Sequence, residues 1–359
     1  MSTPTPDFAH STLGLSTAQH VAASRKMITP CAVKLAYFGK LASRGDFVRS
    51  PEAPELMQKL DRWLARTMES MSQDVRWKAT FDAATPLHFV LLGPRQHQGL
   101  AGYVVPSQDS SGRRYPFMTT GTFELGEPAR FVAVSPLALT RLWSRLATSA
   151  RLAQSATDLQ DVQPLLHAEA VQIDTAPTAH LAGFEAFAGE TTLGMLDTLL
   201  RTDDAGAPPV ARQTILALGL LLQPAVQPGF AQADKAIALP LPQAASKRSA
   251  VAAFWLSLLT RFVVAHDVEL AIFFVPHRQR PRMLVGFTGA SATLLHGLLD
   301  PHHPGDHVLD LSHAAWVEDA LTEAAGAPPA LRKLSGYLQE PELSLKQTMA
   351  TFREAFARG

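Results

Sequence analysis

Two apolar runs constrain the fold more than any other feature. "HFVLLGPRQHQGLAGYVV" (88–105) and "LAIFFVPHRQRPRMLVGF" (270–287) each set a strand-length apolar segment, a polar turn and a second apolar segment in succession. Apolar runs of this length, closed by a turn containing Gly or Pro, read as buried hairpins. Each follows a helix-period segment that carries a tryptophan. The first is "PELMQKLDRWLARTMESM" (54–71), with Leu56, Leu60, Trp63, Leu64 and Met68 at helical spacing and Pro54 fit to open it. The second is "SAVAAFWLSLLTRFVVA" (249–265), with Phe254, Leu258 and Phe262 along one face. Strands from Val33 to Gly39, at "FMTTGTFEL" and at "KAIALPLP", and helices from Pro136 to about Leu166, at "AAWVEDALTEA" and at "LSLKQTMATFREAFA", complete the pattern. The expected class is α/β: a layered α-β-α sandwich followed by a second α/β region built of helix–hairpin units. The recurring order fits an internal duplication. It fits better the repeated use of a common unit.

The expected organisation is a disordered tail over residues 1–30, an α/β domain over 31–167, a connecting segment over 168–212 and a second α/β region over 213–359. The tail is rich in Ser, Thr, Ala and Pro and lacks the continuous apolar core of a signal peptide. The connection is placed by Ala, Thr, Gly and Pro content, with "RTDDAGAPPV" as its strongest linker signal.

Charge narrows the function classes. Lys plus Arg and Asp plus Glu both number 32, so the formal net charge is zero. That argues against a general nucleic-acid or membrane-surface binder, since both need an excess of basic charge. The most apolar stretch, 251–275, is interrupted by Arg261, His266, Asp267 and Glu269, so no membrane insertion is expected. A single cysteine, Cys31, excludes a disulfide framework within the chain and points to the cytoplasm.

Two polar loops stand out. "ASRGDFVRS" (42–50) follows the first strand and carries Arg44, Asp46 and Arg49 around Phe47. Ser43, Gly45 and Asp46 have ordinary capping and turn roles available to them. The two guanidiniums suit recognition of a carboxylate or phosphate, or internal ion pairs. "PSQDSSGRRYPF" (106–117) supplies Asp109, Arg113, Arg114 and Tyr115 between two strands. No Gly-x-Ser-x-Gly elbow, phosphate loop, dinucleotide fingerprint or His-Glu-x-x-His occurs, so no catalytic residue or cofactor is assigned. His302, His303, Asp306 and His307 are metal-competent side chains, but their spacing matches no metal motif and no metal is expected.

"YFGKLASRGDFVR", then "LDRWLARTM", then "AGYVVPSQDSSGRRYPF" resemble, in that order, the signature of the TagF (ImpM) family, accessory proteins of the bacterial type VI secretion system. The second half resembles the C-terminal extension of longer members. The resemblance implies an α/β fold and a post-translational repressor of secretion-system assembly, without enzyme activity. Its implied partner is the forkhead-associated (Fha) scaffold protein. Some members are fused to a protein phosphatase, for which this chain has neither the room nor a metal motif. Alternatives are an enzyme acting on phosphorylated partners and a structural component of the machine. The candidate partner-binding residues are Arg44, Asp46, Phe47, Arg49, Asp109, Arg113, Arg114 and Tyr115, expected together on one edge of the sheet.

Overall fold

Both hairpins form. β4 (Leu87–Leu92) pairs antiparallel with β5 (Gln98–Val105), and β9 (Leu270–Val275) with β10 (Arg282–Gly286). In a computed structural model of the chain they lie side by side, because β4 also pairs antiparallel with β9, from His88↔Phe274 to Leu92↔Leu270. Residues 30–356 are described, except 52, 159, 161–169, 202–209, 224–234, 265, 277–279, 301–306 and 324–328. The N-terminal tail before Pro30, the "DDAGAPP" core of the linker signal, and His302, His303 and Asp306 fall outside the described residues. Among the described residues no group of His, Cys, Asp and Glu is placed to hold a metal ion.

The strand pair extends into a nine-stranded sheet of order β11-β8-β10-β9-β4-β5-β6-β2-β3. β2 (Leu35–Gly39), β3 (Val48–Arg49) and β6 (Phe117–Glu124) build one wing, and β8 (Ala236–Pro240) and β11 (Val308–Asp310) the other. Pairing is antiparallel except between β11 and β8. A small second sheet pairs β1 (Cys31–Val33) with β7 (Val171–Ile173). The single strand expected over Val33–Gly39 is thus the end of one strand and the whole of another. They separate at Lys34 because Val33 turns its backbone to β7 while Leu35 begins pairing with β6.

Helices cover both faces, giving the expected α-β-α layering. On one face α1 (Pro54–Met71) and α2 (Trp77–Ala83) lie over Phe89 and Phe273, beside α9 (Ala292–Leu299). The Trp63 indole N–H donates to Ser291 O at 3.1 Å, so a helix of the first half is tied to the start of a helix of the second. On the other face α3 (Pro128–Ala138), α4 (Thr140–Ser155), α7 (Ala211–Leu222), α8 (Ala245–Val263) and α12 (Leu345–Ala355) enclose the larger core with Val90 and Ile272. Trp255 of α8 is fully buried, its indole donating to Pro240 O at 2.9 Å.

Two expectations need correction. Helix is present from Pro128, not Pro136, because a proline serves a helix in its first turn and Pro128 occupies that place; burial of Phe131 and Val132 extends the run. One helix ends at Ser155, and residues 161–166 of the expected stretch fall outside the described residues. Residues 168–212, expected as a connection, hold β7, α5 (Thr178–Glu190) and α6 (Leu193–Leu200). Their Ala- and Gly-rich composition hid them: α5 buries only Phe184 and Ala188, so it shows no apolar stripe. Duplication finds no support. A two-fold relating antiparallel β4 and β9 would run perpendicular to the sheet and keep each face on its own side, yet α1 and α8 cover opposite faces.

Because Phe273 is fully buried at the seam, Phe273→Ala should cost about 3–5 kcal/mol in a urea titration. Far-UV circular dichroism and tryptophan fluorescence should report one coincident transition. Two separated transitions would mean that the wings unfold independently.

Candidate functional site

The two polar loops meet at one end of the β3 wing. β2 ends at Gly39, whose φ of +133° lies outside the range favoured by L side chains; a Cβ there would sit 2.1 Å from Pro116 O. That close approach brings the end of β2 against the start of β6. The chain then turns, with Arg44 N donating to Leu41 O at 3.0 Å, and returns as the two-residue edge strand β3. Ser50 locks the return. Its hydroxyl accepts from Tyr37 N at 2.8 Å and its own N–H donates to Tyr37 O at 2.9 Å.

The second loop is a narrow extension of the β5–β6 hairpin. Asp109 N donates to Arg113 O at 3.1 Å, Gly112 N to Asp109 O at 2.9 Å, and Tyr115 N to Ser107 O at 3.0 Å. Gly112 takes the positive φ, +78°, that the tip requires. Two bonds then join the loops directly: Ser110 N donates to Arg44 O at 2.9 Å, and Arg113 Nη2 to Gly45 O at 2.6 Å.

A buried carboxylate organises the junction. Asp109 accepts from Lys40 Nζ at 2.9 Å, Arg113 Nε at 2.7 Å, and the backbone N–H groups of Ser111 and Arg113, both at 3.0 Å. Burial alone would push this carboxyl upward. Lys40, Arg113 and the backbone donors overcome it and hold the group far below the usual carboxylate range. The Lys40 ammonium also lies 5.0 Å from the centre of the Phe47 ring.

Of the eight candidate residues, four build the junction. Asp109 and Arg113 form its core. Arg114 forks onto Asp82 of α2 at 2.8 and 2.6 Å and holds that carboxyl below its ordinary range. Tyr115 is buried and its hydroxyl donates to Asp61 Oδ1 of α1 at 3.0 Å; burial, then the Asp61 charge and hydrogen bond, push its ionisation upward. Arg44 is half-buried and pairs with Asp158 at 2.8 Å, anchoring the first loop to the segment after α4. Asp46, Phe47 and Arg49 are exposed. Asp46 folds back to accept from Phe47 N at 2.7 Å, and Phe47 keeps 42% of its surface open to solvent. The Phe47 ring is nonetheless fixed, stacked on Phe38 at 5.7 Å and set edge-on to Tyr115 at 4.8 Å.

Lys40 escaped the sequence reading. It lies at the end of an apolar strand, where a lysine ordinarily reaches solvent, and only the facing Asp109 turns it inward. Asp61, Asp82 and Asp158 escaped as well; each is a polar residue on an exposed helix face or loop, a pattern without a distinguishing signal.

Gly39→Ala should destabilise the chain by at least about 2 kcal/mol in chemical denaturation, because the β2–β6 approach leaves no room for a methyl group. Asp109 gives a pH test. A carboxyl held below its ordinary 3.8 binds fewer protons folded than unfolded, so its contribution is complete above that value and shrinks as the pH falls below it. The gap in melting temperature between wild type and Asp109→Asn should narrow between about pH 5 and pH 3. A constant gap would show that the carboxylate charge is not what holds the loops.

Residues 36–173 match the family model of the TagF N-terminal domain, described as type VI secretion system-associated. The match contains both loops, all eight candidate residues and Lys40. Among solved structures, that of PA0076 from Pseudomonas aeruginosa PAO1, at 2.05 Å resolution, aligns at 14% identity over 75% of this chain and 95% of that one, with a TM-score of 0.42. A comparison with curated proteins gave no match. Residues 36–173 thus carry a domain of the TagF N-terminal type, associated with type VI secretion.

Proposed function

We propose that the chain is a post-translational repressor of type VI secretion assembly that acts by binding, with the forkhead-associated scaffold protein as its partner and the two-loop junction as its contact surface. One observation carries the placement of that surface. Phe47 is a large apolar side chain left exposed, yet its ring is held by Phe38 and Tyr115 and backed by the Lys40 ammonium. A preorganised aromatic side chain flanked by charge is the usual anchor of a protein contact, since little rotamer freedom remains to be lost on binding. Arg49 stands beside it on the edge strand, exposed. Arg113 and Arg114 are engaged with Asp109, Gly45 O and Asp82, so their part in the surface is to shape it.

Calorimetry of the full chain against the cognate scaffold protein tests this reading. Phe47→Ala and Arg49→Ala should each weaken binding about tenfold or more, within the range of a contact hot spot, and leave the circular dichroism spectrum unchanged. Full affinity in both variants would move the contact elsewhere. Deletion of the gene should raise secretion; abolished secretion would instead identify a structural component of the machine. A scaffold protein whose phosphorylation falls on incubation with the chain would favour the enzyme reading.

A further inference from the structure

The sheet face opposite α1 holds a cavity that the repressor reading does not use. It lies over the β4–β9 seam, between α4 and the start of α8, and has a volume of about 470 Å³, within the range of small-molecule sites. Its floor is aromatic. The His88 ring of β4 lies 4.6 Å from Tyr103 and 6.1 Å from Trp143, and Trp143 lies 4.8 Å from Phe274 of β9. Trp143 is locked by its indole N–H, which donates to Phe89 O at 3.0 Å.

Three polar side chains line this cavity. The Nδ1 atom of His88 is buried and has no hydrogen-bond partner, a costly state for a ring nitrogen. Burial, reinforced by the charge of Arg151, lowers the pKa of this imidazole to about 4, so it is neutral at pH 7 and has one hydrogen bond to offer. Arg248 is partly buried and donates only to the carbonyls of Pro242 and Gln243, at 2.9 and 2.8 Å. Arg151 donates only within its own helix, to Ala147 O and Thr148 Oγ1 at 3.3 Å. Among the described residues neither arginine pairs with a carboxylate.

We propose that this cavity binds a small organic carboxylate with an apolar, aromatic or branched body. The carboxylate meets the guanidiniums of Arg248 and Arg151, and the body lies on Trp143, Phe274 and Tyr103, beside the ring of His88. Two arginines without counter-ions select an anion. The aromatic floor selects against a bare inorganic one, which would gain nothing from three rings.

Phenylacetate, cyclohexanecarboxylate, phenylacetamide and inorganic phosphate serve as probes. They are titrated into the full chain with heteronuclear NMR on the histidine side chains and quenching of tryptophan fluorescence as readouts. The two carboxylates should bind saturably and shift the His88 ring resonances. Phenylacetamide and phosphate should bind at least about tenfold more weakly. Arg248→Ala should weaken phenylacetate by a similar factor. Arg151→Ala, at an exposed position, does the same without risk to folding. Three results would overturn the proposal: no saturable carboxylate binding up to about 10 mM, a range that covers the weakest specific sites; the amide or phosphate binding as well as the acids; or both arginine variants binding like wild type.

Discussion

The pairing of β4 with β9 is the interaction on which the rest of the structure depends. Each strand already has a hairpin partner on one side. Without the other, each would expose a row of unpaired backbone groups between two apolar faces, a state that invites association with other chains. Joining them converts two hairpins into the centre of one sheet, with Phe89 and Phe273 on one face and Val90 and Ile272 on the other. Both helical layers are then built across the seam. Trp63 bonds to Ser291 O, Ser70 bonds to His296, and α3 packs along α8, so each layer contains elements from both halves of the chain.

Away from the seam, the sheet ends in a short edge strand whose protection is electrostatic. β3 is two residues long, and the loops beyond it are held by a single buried carboxylate with two cations and two backbone donors around it. Asp109 is satisfied on every side, so the charge can be buried without being neutralised. The product is a rigid platform, and Phe47 is its exposed element. Asp109, Arg113 and Arg114 are engaged within the junction, whereas Asp46, Phe47 and Arg49 face solvent.

The seam and the platform sit on different parts of the same sheet, and the aromatic cavity belongs to the seam. β4 presents Phe89 to one core and His88 to the cavity by the simple alternation of a strand. A polar residue at that register position is tolerated because the cavity, not the packed core, receives it.

Much of this was legible in the residues. Continuous apolar runs and turn chemistry marked both hairpins, and the period of Leu60, Trp63, Leu64 and Met68 with Pro54 ahead of it marked α1 to the residue. The family signature, too, is local: motifs in order along the chain, and the two loops that carry them are the ones brought together. What no local pattern held was partnership. That β4 adds to β9, that β1 leaves the main sheet for β7, that Lys40 turns inward to Asp109 and that α5 is a helix at all were decided in the tertiary structure. The reason is physical. Periodicity records which face of an element is buried, whereas the partner at the other end of a hydrogen bond or an ion pair lies 69 residues away for Lys40 and Asp109, and leaves no mark on its neighbours in sequence.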